Sequence, residues 1–278
     1  MTGIQTFESP CDVCGGDDAV EIPAVREYQP DQPVHVCKDC GFVYVRQRRS
    51  SDEIARSWSE EIFEGTYTAR IPAVRARQVY VADFLASTIG IEGKNLCDIG
   101  GGEGQFLEFV LADADAANVF AIEPSAKNCQ SMRKKGIDVF EGTIEDFLND
   151  PDAQKQKFDI VTIMWTLENC SSCRTMIDAA YEILNPGGHL LVATGSRILV
   201  PFKKPLQYYL GNDKWGDTHP FRFSANSLRG LLAGSGFATE HINRYFDTDY
   251  LTIVARKTDG TEDIPRERDD YLVVIDFF

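Results

Sequence analysis

The chain has 278 residues, 43% of them hydrophobic, and a formal net charge of −15 at pH 7. That fits one ordinary domain with an appendage, or two modest domains, and it excludes disorder throughout. No run approaches the ~18 apolar residues of a spanning helix, Met1 to Pro10 lacks the features of a secretory signal, and an acidic surface repels phosphate backbones. A cytoplasmic chain is expected, with no membrane partner and with nucleic acid disfavoured.

The eight cysteines read as thiols or metal ligands in such a compartment. Cys11-Asp-Val-Cys14 is followed, after 22 residues, by Cys37-Lys-Asp-Cys40. Two residues between cysteines let both thiolates reach one ion from a tight turn, and two such knuckles complete a tetrahedral shell suited to zinc. Glycines follow each knuckle (Gly15, Gly16 and Gly41), and Phe42 to Val45 reads as a short strand. Residues 1–49 are therefore expected to form a zinc ribbon. Cys11, Cys14, Cys37 and Cys40 take all four ligand places, which makes the zinc structural. A module this small draws its folding energy from the metal. His35 is a candidate to support a ligand from behind. Residues 1–50 hold five Arg or Lys against eight Asp or Glu, so the ribbon is no nucleic-acid finger by charge. Arg46, Arg48 and Arg49 are read as a solvated linker in preference to a phosphate site.

Residues 50–93 are rich in helix formers. Asp52 could cap a helix running through Trp58 and Ile62, and Ile71-Pro72 marks a break. From Ala73, Val74, Val81, Phe84, Leu85 and Ile89 recur at helical spacing. This connector either packs on the next domain or covers a ligand there.

Residues 94–257 alternate strand and helix. Asn95 to Gly100 is a short apolar strand that runs into Gly100-Gly-Gly-Glu-Gly104, and a helix follows from Gln105. A glycine turn between strand and helix lets backbone approach a ligand beside free helix amides. The next strand, Val119 to Glu123, ends in an acid 19 positions past Gly104, placed to accept hydrogen bonds from ribose hydroxyls. Further strands are expected at Ile137 to Phe140, Phe158 to Met164, His189 to Thr194, Phe237 to Tyr245 and Leu251 to Lys257. Helices fall between them, and the last two strands should pair antiparallel. The fold class is α/β: a Rossmann-like, seven-stranded, mostly parallel sheet with helices on both faces, plus the small N-terminal four-cysteine zinc ribbon.

On these motifs the stretch from about Lys94 to Lys257 resembles class I S-adenosylmethionine-dependent methyltransferases. Asp98-Ile-Gly-Gly-Gly-Glu-Gly104 is similar to that family's D-x-G-x-G-x-G loop, Glu123 to its ribose acid, and Asn185-Pro-Gly-Gly188 to the turn before its fifth strand. The resemblance implies S-adenosylmethionine as cofactor. Gly100 and Gly102 would meet its methionine part and Glu123 its ribose, with Asp98 and Gly101 in the same cofactor-binding loop. Pro124, Ser125, Thr143, Ile144 and Glu145 would meet its adenine, while Met164 and Trp165 would face the reaction centre. The chain departs from many relatives at Trp165-Thr-Leu-Glu-Asn169, where they carry His-x-Leu-Glu-His. A zinc ribbon ahead of such a domain is similar to bacterial sugar methyltransferases and also to some ribosomal-RNA guanine methyltransferases. Val36 to Tyr44 and Thr218-His-Pro-Phe-Arg-Phe-Ser look closer to the first.

The acceptor is expected in the aromatic stretch Ser196 to Phe223, with His219 as the catalytic base. The expected function is methyl transfer to a small-molecule acceptor such as a sugar, nucleotide-linked sugar or glycan precursor. An RNA methyltransferase and a non-catalytic cofactor-binding protein are the alternatives. Arg222 reads as a surface salt bridge in preference to an acceptor contact. Cys170-Ser-Ser-Cys173, a second C-x-x-C at a helix start, reads as an incidental pair, although such a position acidifies thiols. The tail, residues 258–278, ends in an apolar run that needs a partner: the core, or a second subunit of a homo-oligomer.

Overall fold

The computed structural model describes residues 6–26, 33–56, 72–113, 118–195, 219–244 and 250–278. Chain order begins with β1 (Thr6–Glu8), the first cysteine knuckle, β2 (Ala19–Glu21) and the short α1 (Pro23–Arg26). β3 (Val34–Cys37) leads into the second knuckle, followed by β4 (Val43–Val45) and β5 (Gln47–Arg49). β2, β3 and β4 pair antiparallel, and β1 pairs with β5. A helical turn over 51–56 follows. Trp58 and Ile62, expected to extend it, lie outside the described residues.

α2 (Pro72–Thr88) precedes β6 (Asn95–Ile99), α3 (Gln105–Asp113), β7 (Asn118–Glu123), α4 (Ala126–Lys134), β8 (Asp138–Glu141) and α5 (Ile144–Asn149). Then come β9 (Phe158–Met164), a single 3₁₀ turn (Leu167–Asn169), α6 (Cys173–Ile183) and β10 (Leu184–Thr194). The chain closes with β11 (Phe221–Arg222), α7 (Ala225–Gly234), β12 (Phe237–Ile242), β13 (Leu251–Lys257) and α8 (Tyr271–Phe277).

Seven strands form the central sheet in the order β12-β13-β10-β9-β6-β7-β8. β8, β7, β6, β9 and β10 run parallel, and β13 is antiparallel to both β10 and β12. Central strands read as continuous apolar runs because both faces are covered. On one face Val81 and Leu85 of α2 meet Phe106, Leu107 and Val110 of α3 and Met132 of α4. On the other, Phe147 of α5, Ile177 and Ala180 of α6 and Leu228 and Leu231 of α7 pack together. Asn185 to Gly188 does not form a separate turn. α6 ends at Ile183, β10 begins at once, and its register with β9 breaks between Leu184 and His189.

Two sequence expectations are corrected, and the tail is placed. Arg48 is no solvated linker: it is 2% exposed and paired with Asp12. Arg222 is buried on β11, which joins the ribbon as the fourth strand of its sheet, in the order β11-β4-β3-β2. The tail covers the ribbon: Val274 of α8 packs among Val34, Val36, Val43 and Val45, leaving Leu272, Val273 and Phe277 exposed. No described helix is long and apolar enough to cross a membrane.

Candidate active site

The carboxyl ends of β6, β7 and β9 open into a cavity of about 350 Å³, as expected at the switch point of a parallel sheet. Its floor is the glycine turn. Gly100, Gly102 and Gly104 have φ of +77°, +55° and +78°, a region closed to most side chains. At Gly100 a Cβ would also stand 2.5 Å from the Thr166 hydroxyl oxygen. Asp98 lies beneath the turn and accepts from Thr162 Oγ1 at 2.7 Å; burial pushes its carboxyl up to about 7.

Glu123 ends β7 on the cavity wall. Its Oε2 accepts from Gly102 N at 2.9 Å, and its Oε1 from Ser125 N at 2.9 Å and Asn128 Nδ2 at 3.3 Å. Burial raises its pKa against these bonds. A carboxylate offers about four acceptor sites, so the protein leaves about one open toward the cavity. A second ribose contact requires the long Asn128 bond to yield.

Asp98, Gly100, Gly101, Gly102, Glu123, Pro124, Thr143, Ile144, Glu145, Met164, Trp165 and His219 all line this one cavity. Ser125 does not. It is the N-cap of α4, buried, and its amide holds Glu123. Thr143 caps α5 reciprocally with Asp146, which fixes the turn that presents Ile144 and Glu145.

Trp165 leaves β9 with φ +51°, the one non-glycine with positive φ among the described residues. Its N–H donates to Ala193 O at 2.7 Å, and the Arg77 guanidinium stacks 4.4 Å above its ring. Such strain persists only where surroundings over-determine it, and it concentrates at functional sites. Asn169 Nδ2 donates to Trp165 O at 3.0 Å, and Asn169 Oδ1 is hydrogen-bonded to His219 Nδ1. With the amide turned this way, His219 Nδ1 is the donor. Nε2 then carries the lone pair and can accept a proton.

Several wall residues escaped the sequence reading. Glu168 is 6% exposed, and burial raises its carboxyl to about 7. Among the described residues, nothing partners one buried oxygen on each of Gln78, Gln105 and Glu168. Such acceptors suit a ligand carrying N–H groups or positive charge, as the methionine end of S-adenosylmethionine does. The residues present therefore fit that cofactor. Ser51, Ile54 and Ala55 cover the cavity from the turn after the ribbon. Glu168 stood in a motif stretch whose missing histidines drew the attention; no signal marked Gln78 or Ser51. Of Ser196 to Phe223, residues 196–218 lie outside those described.

The Sγ atoms of Cys11, Cys14, Cys37 and Cys40 lie within 4.8 Å of one another, with Cys11–Cys40 and Cys14–Cys37 at 3.5 Å. Tetrahedral Zn–S bonds of about 2.3 Å put sulfurs about 3.8 Å apart, so the four thiols fit zinc. Their mutual hydrogen bonds lower the Cys37 thiol and raise that of Cys11. His35 turns Nδ1 to Pro33 O, and His189 pairs with Glu240. Cys170 and Cys173 are not acidified by their helix start: both are buried, and desolvation pushes both thiols up.

Sheet order, glycine turn and strand-end acid define the Rossmann-like methyltransferase class. A methyltransferase-domain family model matches residues 74–242, and the chain belongs to that family. Ubiquinone biosynthesis O-methyltransferase of Actinobacillus pleuropneumoniae is 33% identical over 117 residues, 40% of this chain and 49% of that one. The chain spans about half the length of the curated relatives it matches. Among solved structures, a Burkholderia thailandensis 1,6-didemethyltoxoflavin-N1-methyltransferase with bound S-adenosylhomocysteine has a TM-score of 0.57 and 15% identity, over 78% of this chain and 96% of that one. Magnesium protoporphyrin IX methyltransferase of Synechocystis PCC 6803, also with S-adenosylhomocysteine, has a TM-score of 0.55 and 15% identity, over 75% and 98%. Both share the fold.

Proposed function

We propose that this chain transfers the methyl group of S-adenosylmethionine to a hydroxyl of a small molecule, with a structural zinc ion in its ribbon. The observation that carries the reading is the His219–Asn169–Trp165 chain at the cavity wall. The cofactor, when bound, supplies an electrophilic methyl group on a sulfonium. Everything else is positioning and proton handling by the protein. Glu123 anchors the ribose and the glycine turn admits the methionine part. Thr143, Ile144 and Glu145 border the adenine. Asn169 would hold the His219 ring so that Nε2 could take the proton of the acceptor hydroxyl. Alignment of acceptor oxygen, carbon and sulfur supplies much of the rate.

Within hydroxyl acceptors we favour a sugar, nucleotide-linked sugar or glycan precursor, on the resemblance of the ribbon and of the segment around His219. The relatives named as ubiquinone biosynthesis O-methyltransferases support a second reading, a hydroxyl on a ubiquinone precursor, for which catechols serve as probes. Methyl-labelled cofactor, offered with nucleotide sugars, with catechols and with RNA, separates these readings. Label in nucleotide sugars supports the first and label in catechols the second. Label in RNA alone, or retention of S-adenosylhomocysteine binding with no transfer to any small molecule, refutes both.

A further inference from the structure

The ribbon and the cofactor cavity are joined by three sets of buried and half-buried contacts, and each begins in the ribbon. The first starts inside the first knuckle. Asp12, between ligands Cys11 and Cys14, forms an ion pair with Arg48 at 2.8 Å, the two side chains being 5% and 2% exposed. Its Oδ1 also accepts from Ser172 Oγ at 2.9 Å. Arg48 Nη1 donates to Ser171 O at 2.9 Å, while Arg174 donates to Asp12 O and Val13 O, both at 2.9 Å. The knuckle backbone thus clamps the segment after β9, of which Asn169, Cys170 and Ser171 are cavity wall.

The second set follows the chain out of the ribbon. β5 carries Arg48 and runs directly into the turn over 51–56 that covers the cavity. Ser51 Oγ donates to Glu145 Oε1 at 2.9 Å and lies 2.7 Å from Ser171 Oγ. The third is β11. It pairs with ribbon strand β4, and Val45 N donates to Pro220 O at 2.8 Å, directly beside His219.

An independent appendage would touch the domain at its edge. Here the cofactor cover, the loop carrying Asn169 and the segment carrying His219 each take their position from the ribbon. The two knuckles converge on the four-cysteine site, so zinc there would fix the shape of the ribbon from which these contacts start. Resting on the zinc and cofactor reading above, we propose that zinc in the four-cysteine site and S-adenosylmethionine in the cavity bind with positive coupling, transmitted by Asp12, Arg48 and Ser51 as positioning residues. Linkage makes the effect reciprocal: each ligand tightens the other by the same factor.

The test uses the full zinc-loaded chain. A chromophoric chelator competes for zinc with and without saturating S-adenosylhomocysteine, and calorimetry measures S-adenosylhomocysteine binding before and after zinc removal. Coupling predicts that both affinities shift by one common factor, on the order of tenfold. Asp12→Asn leaves every sulfur in place and should bring that factor close to one. Ser51→Ala is the milder change, should Asp12→Asn fail to fold, and should reduce the factor severalfold. Zinc affinity unchanged by S-adenosylhomocysteine overturns the proposal while leaving the metal and cofactor readings intact. A chain that binds no zinc overturns both the metal reading and the coupling. Loss of the core's circular dichroism on zinc removal also overturns it, because the link would then be global unfolding and not these contacts.

Discussion

Replacing Glu168 by glutamine should flatten the fall of stability between about pH 4.5 and 7. The carboxyl sits on the 3₁₀ turn after β9, 6% exposed, and burial raises it from 4.5 to about 7. Below about 4.5 both folded and unfolded chains hold the proton, and the group has no effect on stability. Between that value and 7 the folded chain keeps a proton that the unfolded chain has released. Stability therefore falls as pH rises through this window, and levels off above it. The gap between 4.5 and about 7, at about 1.36 kcal/mol per pH unit, is roughly 3 kcal/mol. Asp98 adds a loss of the same sign, so the test is the difference between wild type and Glu168→Gln, in which Asp98 cancels. Urea denaturation of the zinc-loaded, ligand-free chain measures it. The two proteins should agree within about 0.5 kcal/mol near pH 4.5, and the variant should be more stable by up to roughly 3 kcal/mol near pH 8. Parallel pH profiles would refute the argument, because Glu168 would then ionise alike in the folded and unfolded chains.

Glu123→Ala removes the acceptor of Gly102 N–H and Ser125 N–H together with the proposed ribose anchor; a charged hydrogen bond worth ~1.5–3 kcal/mol corresponds to a ~10–150-fold loss of S-adenosylhomocysteine affinity by calorimetry. His219→Ala should lower kcat by ~10²–10⁴ with S-adenosylhomocysteine affinity retained, as expected of a general base and not of a cofactor contact. Asn169→Ala should lower kcat by less, since the ring loses its tether and keeps its lone pair; equal label-transfer rates in wild type and variant would count against the tether. Gly104→Ala forces a side chain onto φ +78° and puts its Cβ 2.6 Å from Met132 Cγ. The left-handed backbone alone costs ~1–2 kcal/mol, so thermal melting should show a clear drop. Cys37→Ser should reduce bound zinc, read by metal analysis of the purified chain, well below one ion per chain.

What the sequence disclosed was local. The two knuckles, the glycine turn and Glu123 each occupy one element, where spacing alone fixes geometry. The misreadings depend on distant partners. Arg48 looked like a solvated linker because Asp12 precedes it by 36 residues and Ser171 follows it by 123. β11 is two residues long and exists as a strand only because β4 offers it an edge. Cys173, read as half of an incidental pair, stands at a helix start that would acidify an exposed thiol, but it is buried and desolvation wins. Ser125 carries a polar side chain in the right loop, yet its backbone amide makes the contact to Glu123 while its hydroxyl is buried.

One signal of the ribbon's integration is legible in the sequence. A ribbon strand with one face in water alternates apolar and polar residues, whereas Phe42-Val-Tyr-Val45 is apolar throughout. Such a run marks a strand covered on both faces. In the structure Phe42 and Tyr44 point into the main core, stacked at 5.8 Å, with Phe42 also 6.1 Å from Phe221. Val43 and Val45 point the opposite way, beneath Val274 of α8. All four are fully buried. One cover is the core of the methyltransferase domain and the other comes from the last residues of the chain. The apolar tail and the apolar ribbon strand are therefore two sides of a single packing layer. That layer seats the strand that β11 pairs with, and so fixes the ribbon against the segment that carries His219.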